Sequence, residues 1–405
     1  MRKHYAVGID IGTHNVKVIV TENNDINPAF PKIIGAGFAE SKGLRHGYII
    51  NQTEAVRSIR KAVRQAEKKS GIRISRAFLS VGGIGLASYV STGTIMISRA
   101  DSEITELDIE KVLEDSERQI PPTISINRKI IHTIPLEYLV DSKPVFGNPV
   151  GLKGAKLEAK VLFITCLEHH LAELINTVEE ADIEIIDVMA APLAASLVTL
   201  SKPEKIAGCV LTNIGSETVS IVVYENDLPV SLEIFPIGSN DITNDIALGL
   251  QIPLNEAEDA KRDLNNEFGE NKYPKKKLEE IIGARLSDIF ELIESHLKKI
   301  SKNGLLPAGI VITGGGSGIT TIEDLAKAYL KLPSKVSHLA CNSEIEECIN
   351  EQGVKIKDGQ WAVSYGLCVF GLYADDDTNI QNNIGKKFLK STRKKIASWL
   401  KQFLP

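Results

Sequence analysis

Two stretches of this chain read alike at a constant offset. Val7-Gly-Ile-Asp-Ile-Gly-Thr-His-Asn-Val-Lys-Val-Ile-Val20 aligns without a gap on Val210-Leu-Thr-Asn-Ile-Gly-Ser-Glu-Thr-Val-Ser-Ile-Val-Val223, 203 residues further on. A repeat on this scale restricts the fold to two copies of one unit. In each copy an apolar run enters a Gly-centred polar bend (Gly12 to Asn15; Gly215 to Thr218) and leaves as a second apolar run, which is the pattern of a β-hairpin. A weaker echo follows. The helical stretch Thr53 to Lys69 precedes Ala77-Phe-Leu-Ser-Val-Gly-Gly83, and the helical pattern Lys275 to Lys302 precedes Gly309-Ile-Val-Ile-Thr-Gly-Gly-Gly-Ser-Gly318.

The hairpins carry chemistry as well as topology. Successive backbone N–H groups in a tight Gly-containing turn form an anion-binding nest, and the hydroxyls of Thr13, Ser216 and Thr218 add donors. Two facing nests would clamp a polyphosphate. Neither hairpin is a dinucleotide fingerprint, whose glycines must open a helix, and no G-x-x-x-x-G-K-[ST] occurs. The glycines at 314–316 let backbone approach a flat ligand closely.

The end of the chain has a different character. Residues 386–405 hold seven Lys or Arg and no Asp or Glu, so a tail of +7 sits on a chain of −5 and leaves −12 on the other 385 residues. Phe388, Leu389, Ile396, Trp399, Leu400, Phe403 and Leu404 recur at steps of three and four, which gathers them on one helical face, with Lys387, Lys390, Arg393, Lys394 and Lys401 around it. That pattern fits a helix lying on anionic lipid, drawn by about 1 kcal/mol per basic residue near the surface. A helix docked on its own domain or on a partner, and a solvated basic tail, are the other readings. Residues 374–385, with Asp375 to Asp377 and several Asn, read as a flexible linker.

The rest of the chain is ordinary in bulk. With 405 residues and 43% hydrophobic content it supports several cores. No apolar run reaches the roughly 18 residues a spanning helix needs, and Met1 to His4 lead straight into a strand-like segment, so neither a spanning helix nor a signal peptide is expected. Cys166, Cys209, Cys341, Cys348 and Cys368 lack metal spacing and read as reduced thiols of a cytoplasmic protein. The acidic body argues against a nucleic-acid footprint.

Hairpin, second hairpin and late glycine-rich strand resemble the phosphate 1, phosphate 2 and adenosine motifs of the actin, Hsp70 and sugar-kinase superfamily. Within it the chain resembles the FtsA family of bacterial cell-division proteins. The likeness extends over Gly147-Asn-Pro-Val-Gly-Leu-Lys-Gly-Ala-Lys-Leu-Glu-Ala-Lys160, Ile164-Thr-Cys166, Ala191-Pro-Leu-Ala-Ala195, Pro236-Ile-Gly-Ser-Asn-Asp-Ile-Thr-Asn-Asp-Ile246 and the amphipathic tail. It implies an α/β, actin-like ATPase fold of two duplicated RNase H-like lobes. The first-lobe core would comprise 1–83, 162–206 and 356–373, interrupted by an inserted subdomain at 84–161. The second would comprise 207–225 and 304–355, with its own insertion at 226–303.

The resemblance also implies ligands and partners. Gly12, Thr13, His14 and Asn15 would hold ATP phosphates from one side and Gly215, Ser216, Glu217 and Thr218 from the other, with Lys17 at the phosphates or turned outward. Asp10 would hold Mg²⁺ through water, as a hard cation prefers. Gly238 would wall the pocket, Glu258 and Lys261 bracket ribose and adenine, and Gly314, Gly315, Gly316 and Ile319 floor the base. Lys277 and Arg285 match the family's contacts to the acidic-containing C-terminal peptide of FtsZ. The inserted subdomain would serve self-association into filaments and recruitment of later division proteins. The location implied is the cytoplasmic side of the cell membrane at the division site.

Two positions depart from the superfamily pattern. Asn213 stands where phosphate 2 usually has Asp, and Ala191 aligns with a carboxylate that positions the attacking water in chaperone-type members. Alanine cannot orient water. The expectation is an ATP-binding adaptor that hydrolyses slowly or not at all. The competing readings are a pilus-assembly type of actin-like protein and a small-molecule kinase of the same superfamily.

Overall fold

A computed structural model gives the fold; it describes residues 4–23, 30–263, 272–337, 339 and 358–376, with side chains as far as 372. The first repeat opens with β1 (Tyr5–Ile11), β2 (Asn15–Glu22) and β3 (Lys32–Glu40), then the ribbon β4 (Leu44–Arg45) and β5 (Tyr48–Ile49), helix α1 (Gln52–Ser70) and β6 (Arg76–Val81). An inserted unit follows: β7 (Leu86–Met96), α2 (Glu106–Arg118), α3 (Pro122–Ser125), β8 (Arg128–Val140), β9 (Lys143–Val145) and β10 (Lys156–Leu167). The chain returns through α4 (Glu168–Glu179), β11 (Glu184–Ala190), α5 (Ala191–Thr199) and α6 (Lys202–Ala207). The second repeat is β12 (Cys209–Ile214), β13 (Val219–Glu225), β14 (Leu228–Phe235), α7 (Ser239–Leu250), α8 (Leu254–Asp263), α9 (Lys275–Lys299), β15 (Gly309–Thr313), α10 (Ile322–Leu330) and β16 (Ser334–Val336). Helix α11 (Ala362–Asp376) ends the described chain.

The duplication is visible in the sheets. One has the order β3-β2-β1-β6-β11 and the other β14-β13-β12-β15-β16. In both, the first three strands form an antiparallel meander and the last two join in parallel. Both sheets are covered on two faces, so their central strands read as nearly continuous Val and Ile rather than alternating. The inserted unit is a third sheet, β7-β10-β8-β9, with its own core around Ile104, Val112, Leu157 and Phe163.

Local rules explain how the helices sit. Asn51 caps α1 by accepting the Glu54 N–H, and Gly71, at φ 70°, ends it with its N–H on the Glu67 carbonyl. Ala55, Val56, Ile59, Ala62, Val63 and Ala66 make one apolar stripe. The stripe approaches the sheet so closely that a Cβ on Gly37 would strike the Ala62 carbonyl. Helix α11 packs back onto the first lobe in the same way, with Gly8 under Ser364 and Gly366 against Ala194.

Some boundaries differ from the sequence expectation. Strand β10 runs unbroken across 161/162, because its whole length pairs with β7 from Leu86 to Met96. Helix α9 stops at Lys299 rather than Lys302, since Ser301 takes a left-handed φ of 58°. Helix α11 continues through 374–376, the first residues of the expected linker. The tail, with Phe388, Leu389, Ile396, Trp399, Leu400, Phe403 and Leu404, lies outside the described residues.

Candidate functional site

The two glycine bends have the same construction. In the first, the Gly12 N–H donates to the Asn15 carbonyl at 3.1 Å; in the second, Gly215 donates to Thr218 at 2.9 Å. A Cβ on either glycine would meet that same carbonyl oxygen at 2.9 Å, so only glycine turns this tightly. Thr13, His14, Ser216 and Glu217, at the tips, donate their backbone N–H groups to no other group among the described residues.

Their surroundings differ. On the first hairpin Asp10 and Lys17 face each other across the register. Ser80 of β6 donates its Oγ–H to Asp10 Oδ1 at 2.8 Å. Burial pushes the Asp10 carboxyl above its ordinary range, opposed by Lys17 and the Ser80 hydroxyl. Burial likewise lowers Lys17, opposed by Asp10 and Asp358. Ser41 braces the bend, donating its Oγ–H to the Gly12 carbonyl at 2.5 Å and its N–H to the His14 carbonyl.

On the second hairpin the equivalent pair is neutral, Asn213 opposite Ser220. Its brace is the start of α7. Ser239 and Asn240 donate their N–H groups to the Gly215 and Ser216 carbonyls at 2.9 and 2.8 Å. Gly238 is buried there, and a Cβ on it would collide with the Ser216 carbonyl. Lys261 of α8 spends its ammonium on Glu258 Oε2 (2.6 Å), Thr243 Oγ1 (2.7 Å) and the Ser239 carbonyl (3.1 Å). Glu258 also accepts from Thr243 Oγ1 and Arg262, and its carboxyl is held down: burial raises it, and Lys261, Thr243 and Arg262 outweigh that.

The glycine cluster after β15 completes this wall. Gly314, at φ 96°, is pressed against Asn213 and Ile214, and Gly316 against Ile214 and Ser239. Gly315 and Gly318 have nothing within 4 Å of an added Cβ, so they offer an open backbone surface. Ile319 follows, buried in the second-lobe core. Asp358 and Gly359 link the halves, because Asp358 acts electrostatically on Lys17 while Gly359 lies against Thr313 and Gly314. A second link joins Glu217 to the turn between β4 and β5, where the His46 N–H donates to Glu217 Oε2 at 2.5 Å.

The structure therefore joins these residues by contact: Asp10 and Lys17 sit beside Gly12 to Asn15, Gly238, Glu258 and Lys261 support Gly215 to Thr218, Gly314 and Gly316 lie against Ile214, and Asp358 and Gly359 link the two groups. It adds four residues that sequence reasoning missed: Ser41, His46, Ser80 and Asp358. Ser80, the one hydroxyl in the buried run Ala77 to Val81, was the nearest thing to a signal. Ala191 opens α5 next to Gly82, so no carboxylate stands at that helix end. A cavity of about 1040 Å³ lies elsewhere, between the inserted unit and the first-lobe core.

The two basic residues matched to peptide contacts both lie on α9, in different states. Lys277 is exposed and has no ion pair among the described residues. Arg285 forks onto Asp245 (Nε to Oδ2 2.6 Å, Nη2 to Oδ1 2.9 Å) and touches Asp288 at 3.3 Å.

Two repeated five-stranded lobes closing on matched hairpins define an actin-like ATPase fold. A protein of a PilM-PilN type IV pilus biogenesis complex superposes with a TM-score of 0.67 at 18% identity, covering 91% of this chain and 98% of that one. MreB5 of Spiroplasma citri, solved with ADP, gives 0.53 at 13% identity over 93% and 99%. At those identities the likeness is one of fold. The sequence is more specific. Residues 210–366 match the family model "Cell division protein FtsA", and residues 83–165 match "SHS2 domain inserted in FTSA". The cell division protein FtsA of Bacillus subtilis is 31% identical over 382 residues, 90% of this chain and 82% of its own length. That of Borreliella burgdorferi is 30% identical over 422 residues, 99% and 98%. The chain belongs to the FtsA family of bacterial cell-division proteins.

Proposed function

We propose that this chain is an ATP-binding adaptor that self-associates and holds the FtsZ ring on the cytoplasmic face of the cell membrane through its amphipathic C-terminal helix. The observation that carries the nucleotide part is the matched pair of hairpins beside the open backbone of Gly315 and Gly318. Their N–H groups supply donors for phosphate, and the glycine surface accepts a flat base. Asp10 would hold Mg²⁺ through water, the ion supplying charge to balance the phosphates. With Asn213 and Ala191 at the two departing positions, turnover stays well below the roughly 1 s⁻¹ at the slow end of ordinary enzymes.

The inserted domain is the part available for filament contacts and for recruiting later division proteins. Of the two matched residues on α9, Lys277 is exposed and without an ion pair among the described residues and so can meet an acidic peptide of FtsZ, whereas Arg285 must first leave Asp245. One amphipathic helix binds lipid weakly, and a polymer multiplies that binding.

Co-sedimentation with vesicles containing anionic lipid tests the reading. The full chain should pellet with vesicles, more strongly with ATP, and should carry an FtsZ C-terminal peptide down with it. Deleting 386–405 should leave it in the supernatant with ATP binding intact; unchanged pelleting overturns the anchor.

A further inference from the structure

The tip of the second hairpin bonds to the first lobe, and among the described residues the tip of the first makes no matching bond to the second. The Glu217 carboxylate accepts the His46 N–H at 2.5 Å, and the Glu217 carbonyl lies 3.2 Å from His46 Nδ1. A carbonyl only accepts, so the ring carries its proton on Nδ1. Two bonds thus join the tip of one phosphate hairpin to a turn of the opposite lobe.

That turn is tied to the root of the inserted domain. His46 has a left-handed φ of 48° and Gly47 one of 87°, and Gly83 opposite is at 79°. Gly47 and Gly83 are stacked so closely that a Cβ on either would strike the other's Cα. The Ile84 N–H donates to the His46 carbonyl at 3.3 Å. Gly82 is fixed in turn, its carbonyl 3.1 Å from Nε2 of the buried His170. Movement of the turn therefore reaches 82–84, from which β7 leaves the core. Beyond it, Ser88 makes a separate contact with the second lobe, donating to the Leu232 carbonyl at 2.8 Å and accepting its N–H at 2.9 Å.

We propose that Glu217 and the His46–Gly47 turn form a latch sensing the terminal phosphate of a nucleoside triphosphate, and that its release is handed to the root of the inserted domain. The inference rests on the nucleotide reading above. Glu217 stands between Ser216 and Thr218, the donors of the second nest, so a third phosphate brings charge next to a fixed carboxylate. Two like charges brought close together repel. A diphosphate ends one group earlier and leaves the latch shut.

The test is hydrogen–deuterium exchange on the full chain without nucleotide, with ADP, and with a non-hydrolysable ATP analogue, each shown by titration to be bound. Segments 44–50 and 83–86 should exchange about tenfold faster with the triphosphate than with ADP, the scale of losing one charge-assisted hydrogen bond. Glu217→Ala should exchange fast in all three states. Glu217→Gln keeps an acceptor for the His46 N–H without the charge, so it should stay protected in all three. Equal exchange in the wild type with both nucleotides bound, or Glu217→Ala as protected as wild type, overturns the latch. If neither nucleotide binds, the nucleotide reading fails and the sensor with it.

Discussion

The two phosphate hairpins share a backbone and differ in almost everything around it. Both close with the same glycine N–H to carbonyl bond, at 3.1 and 2.9 Å. The first surrounds its bend with charge, Asp10 against Lys17, and the second with a neutral amide and hydroxyl, Asn213 and Ser220. The first is braced by one serine, the second by the start of a helix. The duplicated backbone thus carries different chemistry in its two copies: an Asp–Lys pair faces across the first hairpin, and a helix start and glycine surface pack against the second. The tips differ too: among the described residues the second hairpin bonds to the opposite lobe, Glu217 to His46, and no matching bond is seen from the tip of the first.

The comparison is most easily broken at the brace. Gly238→Val drives a side chain into the Ser216 carbonyl and to 2.6 Å from the Glu217 nitrogen, where the obstacle is backbone and cannot rotate away. We expect a loss of about 3 kcal/mol in denaturant unfolding together with loss of nucleotide binding. A variant as stable as wild type would mean that the helix start does not set the second bend.

The charged pair is the next place to press. Lys17→Ala leaves the Asp10 carboxylate half-buried with only Ser80 as a partner, and should cost about 2 kcal/mol, below the full penalty for a completely buried pair. Ser220→Ala at the matching position removes a hydroxyl and no charge, and should cost less than about 1 kcal/mol. Equal losses would show that the hairpins are energetically alike despite their chemistry.

Acid should act on both lobes in a similar way. His132 is buried at the junction of the inserted unit, accepts the Ala190 N–H on Nε2 at 2.9 Å, and is pushed down to about 3 by burial. His296 in the second lobe is pushed down to about 4 by burial and by Lys299, with Glu233 3.5 Å from its Nδ1. Both folded values lie below the unfolded value of 6.5, so the unfolded chain takes up protons first. The stability held above pH 6.5 is lost as the pH falls towards 4 and then 3. Each group should cost about 2 kcal/mol between pH 6.5 and pH 5. Replacing either with Gln should flatten its share of the slope in urea titrations at several pH values; an unchanged slope for one would place the acid sensitivity in the other lobe.

The difference between backbone and surroundings also separates what the sequence made legible from what it did not. Repeated apolar runs and glycine bends are local patterns, and they led directly to two matched halves, whereas the insertion came from the family resemblance. The bonds that give the cleft its character join residues far apart in the chain. His46 and Glu217 are 171 positions apart, Ser80 and Asp10 are 70, and Arg285 and Asp245 are 40. No periodicity reports such pairs, because they depend on how finished elements pack. Glu217 was placed at the phosphates by the family resemblance, and nothing in its local sequence announced that its carboxylate accepts the His46 N–H of the opposite lobe. Arg285 matched a peptide contact by position, and its fork is filled from α7.

The finest test moves one lobe's chemistry into the other. Asn213→Asp gives the second hairpin the carboxylate that the first has in Asp10, at the matching register position and with almost no change in shape. Asn213 Oδ1 already lies against Gly314, so the new charge would stand at the glycine floor rather than in solvent. A hard cation favours carboxylate over amide oxygen. We expect the Mg²⁺ concentration needed for half-maximal nucleotide binding to fall about threefold, roughly 0.6 kcal/mol at RT per natural-log unit, while Asp10→Asn should raise it more. If Asn213→Asp changes nothing and Asp10→Asn abolishes the dependence, the metal is held by the first hairpin alone. If the two variants shift it equally and oppositely, both hairpins face the ion, and the asymmetry lies in side chains rather than in placement.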